Sequence, residues 1–178
     1  AVSNAAATTG LTLDDAVAAS RDASYDLNVR SAYIEYLKTS DKVRLGERTV
    51  RYLNHKYRYD ENFVSTVLFY SISPTDLCFT YNPNVRGSYE NIKYYQENIH
   101  QQALDLSLDL DTKISFLEND GRMYMIRNIM DSNFRPYATI IMELNQPKVF
   151  AQMENLNWNK GIQVIVGDAV VSTPSFNR

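Results

Sequence analysis

The stretch KISFLENDGRMYMIRNIMDSNFRPYATIIMELN, residues 113–145, decides the fold class of this chain. It contains three runs rich in β-branched, aromatic and other apolar residues, at 113–118, 122–130 and 137–144. Asn119-Asp120-Gly121 separates the first two runs and favours a tight hairpin, because Asp and Gly tolerate positive φ angles. The residues before this stretch show mostly helical patterns. Helices followed by an antiparallel meander predict an α+β fold, with helices on one face of a sheet.

The N-terminal region predicts two helices. Apolar or small residues recur every three or four positions over residues 13–37, and Thr12 is placed to cap this helix of roughly 25 residues. Residues 39–41 end it and cap a second helix, whose predicted buried seam is Val43, Gly46, Val50, Leu53 and Tyr57. A lone helix of this length needs a partner, which is the sheet, a second copy of the chain in a parallel homodimer, or both.

Two strands and a third helix are predicted between these helices and the meander. Residues 63–72 and 77–81 are rich in strand-forming residues, and Ser73-Pro74-Thr75-Asp76 between them reads as a turn. The third helix begins near Ser88 and has one apolar face, formed by Ile92, Tyr95, Ile99, Ala103 and Leu106. A final strand is predicted at residues 161–166, with Gly167 and Asp168 able to turn it into another.

Composition indicates a folded protein without a nucleic-acid surface. The 178 residues are 44% hydrophobic and 22% charged, which is typical of globular domains. A net charge of −3 and scattered basic residues argue against binding to nucleic acid. No apolar run approaches the ~18–20 residues of a membrane helix. The sequence leaves open a soluble protein and a region that lies between membrane anchors.

The sequence contains no motif of a known class of enzyme. It lacks a nucleophile elbow, a P-loop, a dinucleotide fingerprint and a zinc-protease motif. Two histidines, His55 and His100, and one cysteine, Cys78, do not make a zinc site, and we expect Cys78 to be buried and unreactive. Acidic residues alternate over 105–111 as in a calcium loop, but the required Gly and the final Glu are missing. We therefore predict a non-enzymatic protein without a metal or cofactor.

Tyrosines form the most suggestive group of side chains. There are 13 in the chain, and several, including Tyr81, Tyr89 and Tyr124, fall on or beside the predicted sheet and its connecting helix. A tyrosine ring offers a rigid apolar face and one polar tip, which suits the wall of a small-ligand pocket. The alternative is that tyrosine fills strands, where it is favoured in any case.

The order of these elements resembles the extracellular Cache (PAS-like) sensor domains of bacterial histidine kinases and chemoreceptors. The segments 121–128 and 135–145 resemble the strand pair in sensor histidine kinases of low-GC Gram-positive bacteria. The resemblance implies a long N-terminal helix followed by a PAS/Cache-like antiparallel sheet flanked by helices. We divide the chain into a tag or disordered leader (1–12), because its first residues are small and polar, an N-terminal helical region (13–60), a PAS/Cache-like sensor domain (61–171) and a tail (172–178).

The resemblance also implies ligand-binding residues. Amino-acid-binding double Cache domains carry a Tyr that packs on the ligand and, five residues later, an Arg that binds its carboxylate. A Trp and a Tyr follow two and three residues after that Arg. Tyr81, Arg86 and Tyr89 fit this spacing, whereas Ser88 stands where the family has Trp. Glu143 stands where the family has the Asp that binds the ligand ammonium, and Tyr124 completes the predicted site.

The sequence therefore predicts the extracellular ligand-sensing domain of a membrane-anchored bacterial receptor, a sensor histidine kinase. Its expected partner is a small molecule, such as an amino acid or another small carboxylate, and a homodimer through the first helix is a further expectation. The alternative is a cytoplasmic PAS-like regulatory or interaction domain of a transcription regulator. Apolar segments of ~20 residues on either side of this region of the full gene would identify the receptor.

Overall fold

The structure is a computed structural model that describes the backbone of residues 2–149, 163–166 and 169–172, and the side chains of residues 13–149. The chain contains one described π-helical turn, Tyr95–Ile99. The helices and strands in chain order are α1 (Val2–Tyr25), α2 (Leu27–Thr39), α3 (Lys42–Tyr57), β1 (Phe63–Tyr70), β2 (Ser73–Tyr81), α4 (Ser88–Tyr94), α5 (His100–Asp109), β3 (Ile114–Asn119), β4 (Arg122–Met130), β5 (Pro136–Leu144), α6 (Gln146–Val149), β6 (Gln163–Val166) and β7 (Ala169–Ser172).

The first five strands form one antiparallel sheet in the order β2-β1-β5-β4-β3. The three strands predicted from residues 113–145 are β3, β4 and β5, so the α+β class and the meander are confirmed. Asp120 and Gly121 both have positive φ angles, of 52° and 75°, and connect β3 to β4 as a two-residue hairpin loop. The strands β6 and β7 form a separate hairpin, as Gly167 and Asp168 predicted.

Helices cover both faces of the five-stranded sheet, so the expectation of helices on one face was wrong. The reason lies in β1, in which all eight residues are buried, and in β5, in which eight of nine are buried. Strands without an exposed face need cover on both sides. One buried cluster joins α1, α2 and α3 to the sheet, and the other joins α4, the π-helical turn and α5 to its opposite face. None of the helices described here is long and apolar enough to cross a membrane.

The predicted single helix over residues 13–37 is two helices. The first of them, α1, begins at Val2, so Thr12 is not its N-cap. The helical backbone is interrupted at Asp26, whose ψ of 122° is extended. The Asp26 carboxylate accepts a hydrogen bond from the Asn28 N–H at 2.6 Å and caps α2. The buried face of α1 includes Ala23, and α2 buries Val29 and Ala32. Three apolar residues that the spacing over 13–37 places on the predicted buried face are exposed: Leu27, Ile34 and Leu37. The homodimer through this region stays a prediction.

Aromatic stacking attaches α2 to the sheet. The ring of Tyr33 stacks on the rings of Tyr70 of β1 and Tyr137 of β5, with centroids 5.7 Å and 4.6 Å apart. In α3, Asp41 is the N-cap as expected, and its carboxylate accepts from the Arg44 N–H at 3.0 Å. The predicted seam of α3 holds at Leu53 and Tyr57 but not at Val43, which is exposed because the buried face passes through Leu45 instead.

The turn between β1 and β2 lies at Ser71 and Ile72, and the prediction of a turn at residues 73–76 was wrong. Tyr70 pairs directly with Ser73, so Pro74 lies within β2. Pro lacks the N–H that a central strand requires, but β2 is an edge strand and tolerates it. Cys78 on the same strand is buried as expected, and burial raises the pKa of its thiol to about 11.

Candidate functional site

A row of four side chains crosses the face of the sheet that α4 covers. Ser65 of β1 pairs with Tyr81 of β2 on one side and with Glu143 of β5 on the other, and Glu143 pairs with Tyr124 of β4. Directly paired residues of neighbouring strands point to the same face of a sheet. Tyr81 and Tyr124 pack in the cluster beneath α4 and the π-helical turn, which identifies this face. We call these four residues the cross-strand row.

Glu143 is a buried carboxylate in the middle of this row. It is 5% exposed, and the Ser65 hydroxyl donates a hydrogen bond to it at 3.2 Å. Among the described residues, no Lys or Arg nitrogen lies within 4.0 Å of its carboxylate. Burial raises the pKa of Glu143 to about 7, although the Arg122 charge and the Ser65 hydrogen bond both act to lower it. Glu143 is therefore partly protonated near neutral pH, and an added positive charge would favour its ionised form.

Tyr124 places an unsatisfied hydroxyl beside Glu143. The residue is 1% exposed, and its hydroxyl has no hydrogen-bond partner among the described residues. Burial and the neighbouring Glu143 raise its pKa above the ordinary value of 10, although the nearby Arg122 guanidinium acts to lower it, so the hydroxyl is protonated at neutral pH. Its ring packs against that of Tyr95, the first residue of the π-helical turn, with centroids 6.2 Å apart. Such turns occur frequently at functional sites, and a buried unpaired hydroxyl is available to a ligand.

Hydrogen bonds connect α4 to the β3–β4 hairpin. The Arg122 guanidinium lies 3.8 Å from the centroid of the Tyr94 ring and donates a hydrogen bond to the Asn91 side chain. The Tyr94 hydroxyl donates to the Asn119 side chain at 2.5 Å. We call these four residues the α4–hairpin contact. It holds α4 against the hairpin on the face of the sheet where Tyr124 is buried.

The remaining predicted site residues lie at the N-terminal end of α4. Tyr89 is 68% exposed, and its ring meets the Tyr81 ring edge to face with centroids 6.0 Å apart. Arg86 is exposed in the preceding turn and makes no ion pair with a described residue. The structure thus brings Tyr124 together with Glu143 and Tyr81 together with Tyr89. It places Arg86 in solvent.

Sequence reasoning missed Ser65, Arg122 and Asn91. Arg122 directly follows Gly121, so the predicted hairpin places it opposite Asn119, as the structure shows. The sequence therefore contained a signal for the position of Arg122. Ser65 joins the row only because β1 pairs with β5, which brings together residues 78 positions apart. No local pattern reveals that pairing. Asn91 is one polar residue among many on a helix whose orientation the sequence does not fix.

The described residues contain no group of three or more His, Cys, Asp or Glu side chains placed to hold a metal. Three cavities are described, and none of them is lined by Glu143 or Tyr124. One cavity of about 320 Å³ lies at the outer edge of β2 and is lined by Tyr81 together with Phe79 and Arg58. The outer end of the cross-strand row therefore borders a surface cavity, and Glu143 and Tyr124 at its inner end are buried.

The chemistry of the cross-strand row suits the binding of a small molecule. A carboxylate of raised pKa, an unpaired hydroxyl and aromatic walls fit a small molecule that brings a positive charge or hydrogen-bond donors. Comparison with known proteins assigns no family to this arrangement: no protein-family model matches the chain, and no curated protein or solved structure matches it either.

Proposed function

We propose that this chain is the extracellular ligand-sensing domain of a bacterial transmembrane receptor, a sensor histidine kinase, and that it binds a small molecule at the cross-strand row. The observation that carries the proposal is the pair formed by Glu143 and Tyr124. Both are buried; among the described residues the Tyr124 hydroxyl has no hydrogen-bond partner, and Glu143 has the Ser65 hydroxyl but no cation within 4.0 Å. Burying polar groups without partners destabilises a protein, and a ligand that supplies those partners recovers the lost free energy.

The ligand class proposed is an amino acid or a related small molecule with an ammonium group. The ammonium would bind Glu143 and favour its ionised form, because a neighbouring positive charge lowers the pKa of a carboxyl group. The Tyr124 hydroxyl would accept from the same ammonium or donate to a ligand oxygen. Arg86, exposed and free of ion pairs within the described part of the chain, is available to bind a ligand carboxylate as the sensor resemblance implies.

The proposed signalling step is a shift between a closed and an open arrangement of α4. In the closed arrangement, the α4–hairpin contact holds α4 against the hairpin on the face of the sheet where Tyr124 is buried. A ligand that binds only when this contact opens would favour the open state by its difference in affinity for the two. The sheet beneath α4 packs on its other face against α1, α2 and α3, so a change in the sheet has a direct route to the N-terminal helices.

A thermal-shift screen against amino acids, small carboxylates, sugars and peptides tests this function. At about 100 times its Kd, a ligand stabilises the folded state by about 2.7 kcal/mol, or roughly 5–10 °C for a domain of this size. We expect an amino acid to give this shift, and we expect Glu143→Gln and Arg86→Ala to abolish it. Arg51→Ala is the matched control, because Arg51 is an exposed arginine on α3.

Two results would count against the proposal in different ways. An unchanged shift in Arg86→Ala removes Arg86 from the site but leaves Glu143 in it. An unchanged shift in Glu143→Gln refutes binding at the cross-strand row, whatever the ligand. The receptor assignment is tested separately by the full gene, where apolar segments of ~20 residues should flank this region.

A further inference from the structure

A second cavity lies at the end of the sheet, near the point where α1 ends and α2 begins. Its volume is about 310 Å³, which is within the range of small-molecule sites. Its wall combines two basic residues, one acid and two aromatic rings. The lining residues that matter here are Tyr25, Arg30, Arg127, Asp131 and Phe134.

Arg127 brings an uncompensated positive charge to this cavity. It lies on β4, is only partly exposed, and donates a hydrogen bond from Nε to the Ser20 hydroxyl at 3.0 Å. No carboxylate of the described residues lies within 4.0 Å of its guanidinium. Burial and the charge of the nearby Arg21 lower its pKa, which reflects an environment unfavourable to a cation. A partly buried guanidinium without an anionic partner is a site for an external anion.

Arg30 adds a second guanidinium from α2. Like Arg127, it makes no ion pair with any carboxylate in the part of the chain described. The one acid in the wall, Asp131, is engaged in its own turn, where it accepts from the N–H groups of Asn133 and Arg135 at 2.7 Å and 2.9 Å. Those hydrogen bonds lower the pKa of Asp131, and the charges of Arg135 and Arg30 lower it further. Asp131 forms no ion pair within 4.0 Å with either Arg30 or Arg127, so both guanidinium groups remain open to an anionic ligand.

Two exposed aromatic rings border the same cavity. Tyr25 is 82% exposed and Phe134 is 77% exposed. Phe134 has a φ of 57°, a left-handed conformation that bulky residues rarely adopt. The turn holds it there, with the Phe134 N–H donating to the Asp131 carbonyl at 3.1 Å and the Asp131 N–H donating to the Arg135 carbonyl at 2.9 Å. The turn thus keeps an aromatic ring at the cavity at a cost in backbone strain.

We propose that this cavity binds a small carboxylate that carries an aromatic group. Arg127 and Arg30 bind the carboxylate from two sides, and Tyr25 and Phe134 contact the ring. This site is distinct from the cross-strand row: Tyr124 belongs to the cluster beneath α4, whereas Arg127 bonds to Ser20 of α1 across the opposite face. The inference does not depend on the proposed sensing function, because it uses different residues and a different opening.

Isothermal titration calorimetry with benzoate as the probe tests this site. We expect saturable binding to the 178-residue chain and at least about tenfold weaker binding after Arg127→Gln or Arg30→Gln, because each loses a charge-assisted hydrogen bond. Benzyl alcohol, which has the ring without the charge, should not bind. Arg51→Gln is the matched arginine control and should bind as the unmodified chain does. Circular dichroism without the probe establishes that each variant is folded.

The same titration separates this site from the proposed sensing site. Benzoate binding should persist in Glu143→Gln and in Arg86→Ala. If either of these variants loses benzoate binding while Arg127→Gln keeps it, the second site is refuted and binding at the cross-strand row gains support. Absence of saturable benzoate binding, or binding by Arg30→Gln and Arg127→Gln as tight as that of the unmodified chain, overturns the proposal. Binding of inorganic phosphate without binding of benzoate would overturn the assignment of an aromatic carboxylate.

Discussion

Replacing the buried carboxylate of Glu143 by an amide is the most informative single perturbation of this protein. Burial raises the pKa of Glu143 from its ordinary value of 4.5 to about 7. Each pKa unit corresponds to about 1.4 kcal/mol, so the rise corresponds to about 3 kcal/mol of folding free energy when the carboxylate is ionised. Glu143 is 5% exposed, so solvent screening reduces this figure little.

The direction of the pH dependence follows from the raised pKa. Below about pH 4.5 the carboxyl is protonated in both the folded and the unfolded chain, and it imposes no penalty. Between about pH 4.5 and 7 the unfolded chain releases the proton while the folded chain keeps it, so the free energy of unfolding falls as the pH rises. Above about pH 7 the loss is complete. Glu143→Gln should therefore be more stable than the unmodified chain at about pH 8 by up to about 3 kcal/mol, and should lack this dependence.

Urea denaturation followed by circular dichroism at several pH values between about 5 and 8 measures this effect, because the variant and the unmodified chain differ in one titrating group. Glu47→Gln is the matched control, since Glu47 is exposed on α3 and forms no ion pair with a described residue. Its pH dependence should follow that of the unmodified chain. If the unmodified chain and Glu143→Gln lose stability in parallel over this range, Glu143 is not a buried acid of raised pKa, and the reasoning behind the cross-strand row fails.

Three further substitutions test the fold. Gly121→Ala should destabilise the protein by about 1 kcal/mol because of its φ of 75°, whereas Gly46→Ala within α3 should be neutral or stabilising; equal effects would contradict the hairpin geometry. Asp41→Ala removes the N-cap of α3 and should cost about 1 kcal/mol, measured as a lower urea midpoint with an unchanged slope. Tyr33→Ala removes the stacking that attaches α2 to the sheet and should cost at least about 2 kcal/mol, whereas Tyr59→Ala at an exposed position should cost less than about 0.5 kcal/mol. A similar loss in both tyrosine variants would show that the stack does not stabilise α2.

The sequence predicted those features that local chemistry determines. Asn119-Asp120-Gly121 specified the hairpin between β3 and β4 because few other residues accept two successive positive φ angles. Alternating and continuous apolar runs gave the five strands of the main sheet, and Asp41 gave the start of α3. The family resemblance indicates Tyr124 and Glu143 as site residues, but their proximity emerges only from the register of β4 and β5.

The interruption at Asp26 shows where periodicity stops being informative. Small and apolar residues keep the three-and-four spacing across it, so the pattern predicts one continuous helix. The chain instead turns, because the Asp26 side chain caps a new helix and Tyr33 of that helix stacks against the sheet. The turn at Ser71 and Ile72 was missed for a similar reason: Pro74 signals a turn locally, but an edge strand accepts it, and only the sheet order reveals which strand is at the edge.

Buried polar groups on the face of the sheet beneath α4 are hydrogen-bonded at some positions and unpaired at others, and this contrast supports the cross-strand row. At one end, Asn128 and Thr139 pair across β4 and β5, the Thr139 hydroxyl donates to the Asn128 side chain at 2.9 Å, and Asn128 donates to the Ser107 carbonyl at 2.8 Å. At the other end, on the same two strands, Tyr124 has no partner and Glu143 has only the Ser65 hydroxyl. The fold satisfies Asn128 and Thr139 at this interface, whereas the Tyr124 hydroxyl and the His100 Nε2, whose ring packs on Phe69, have no partner among the described residues. At Tyr124 the unpaired hydroxyl lies beside the buried acid Glu143, and we expect a ligand to complete the hydrogen bonding there.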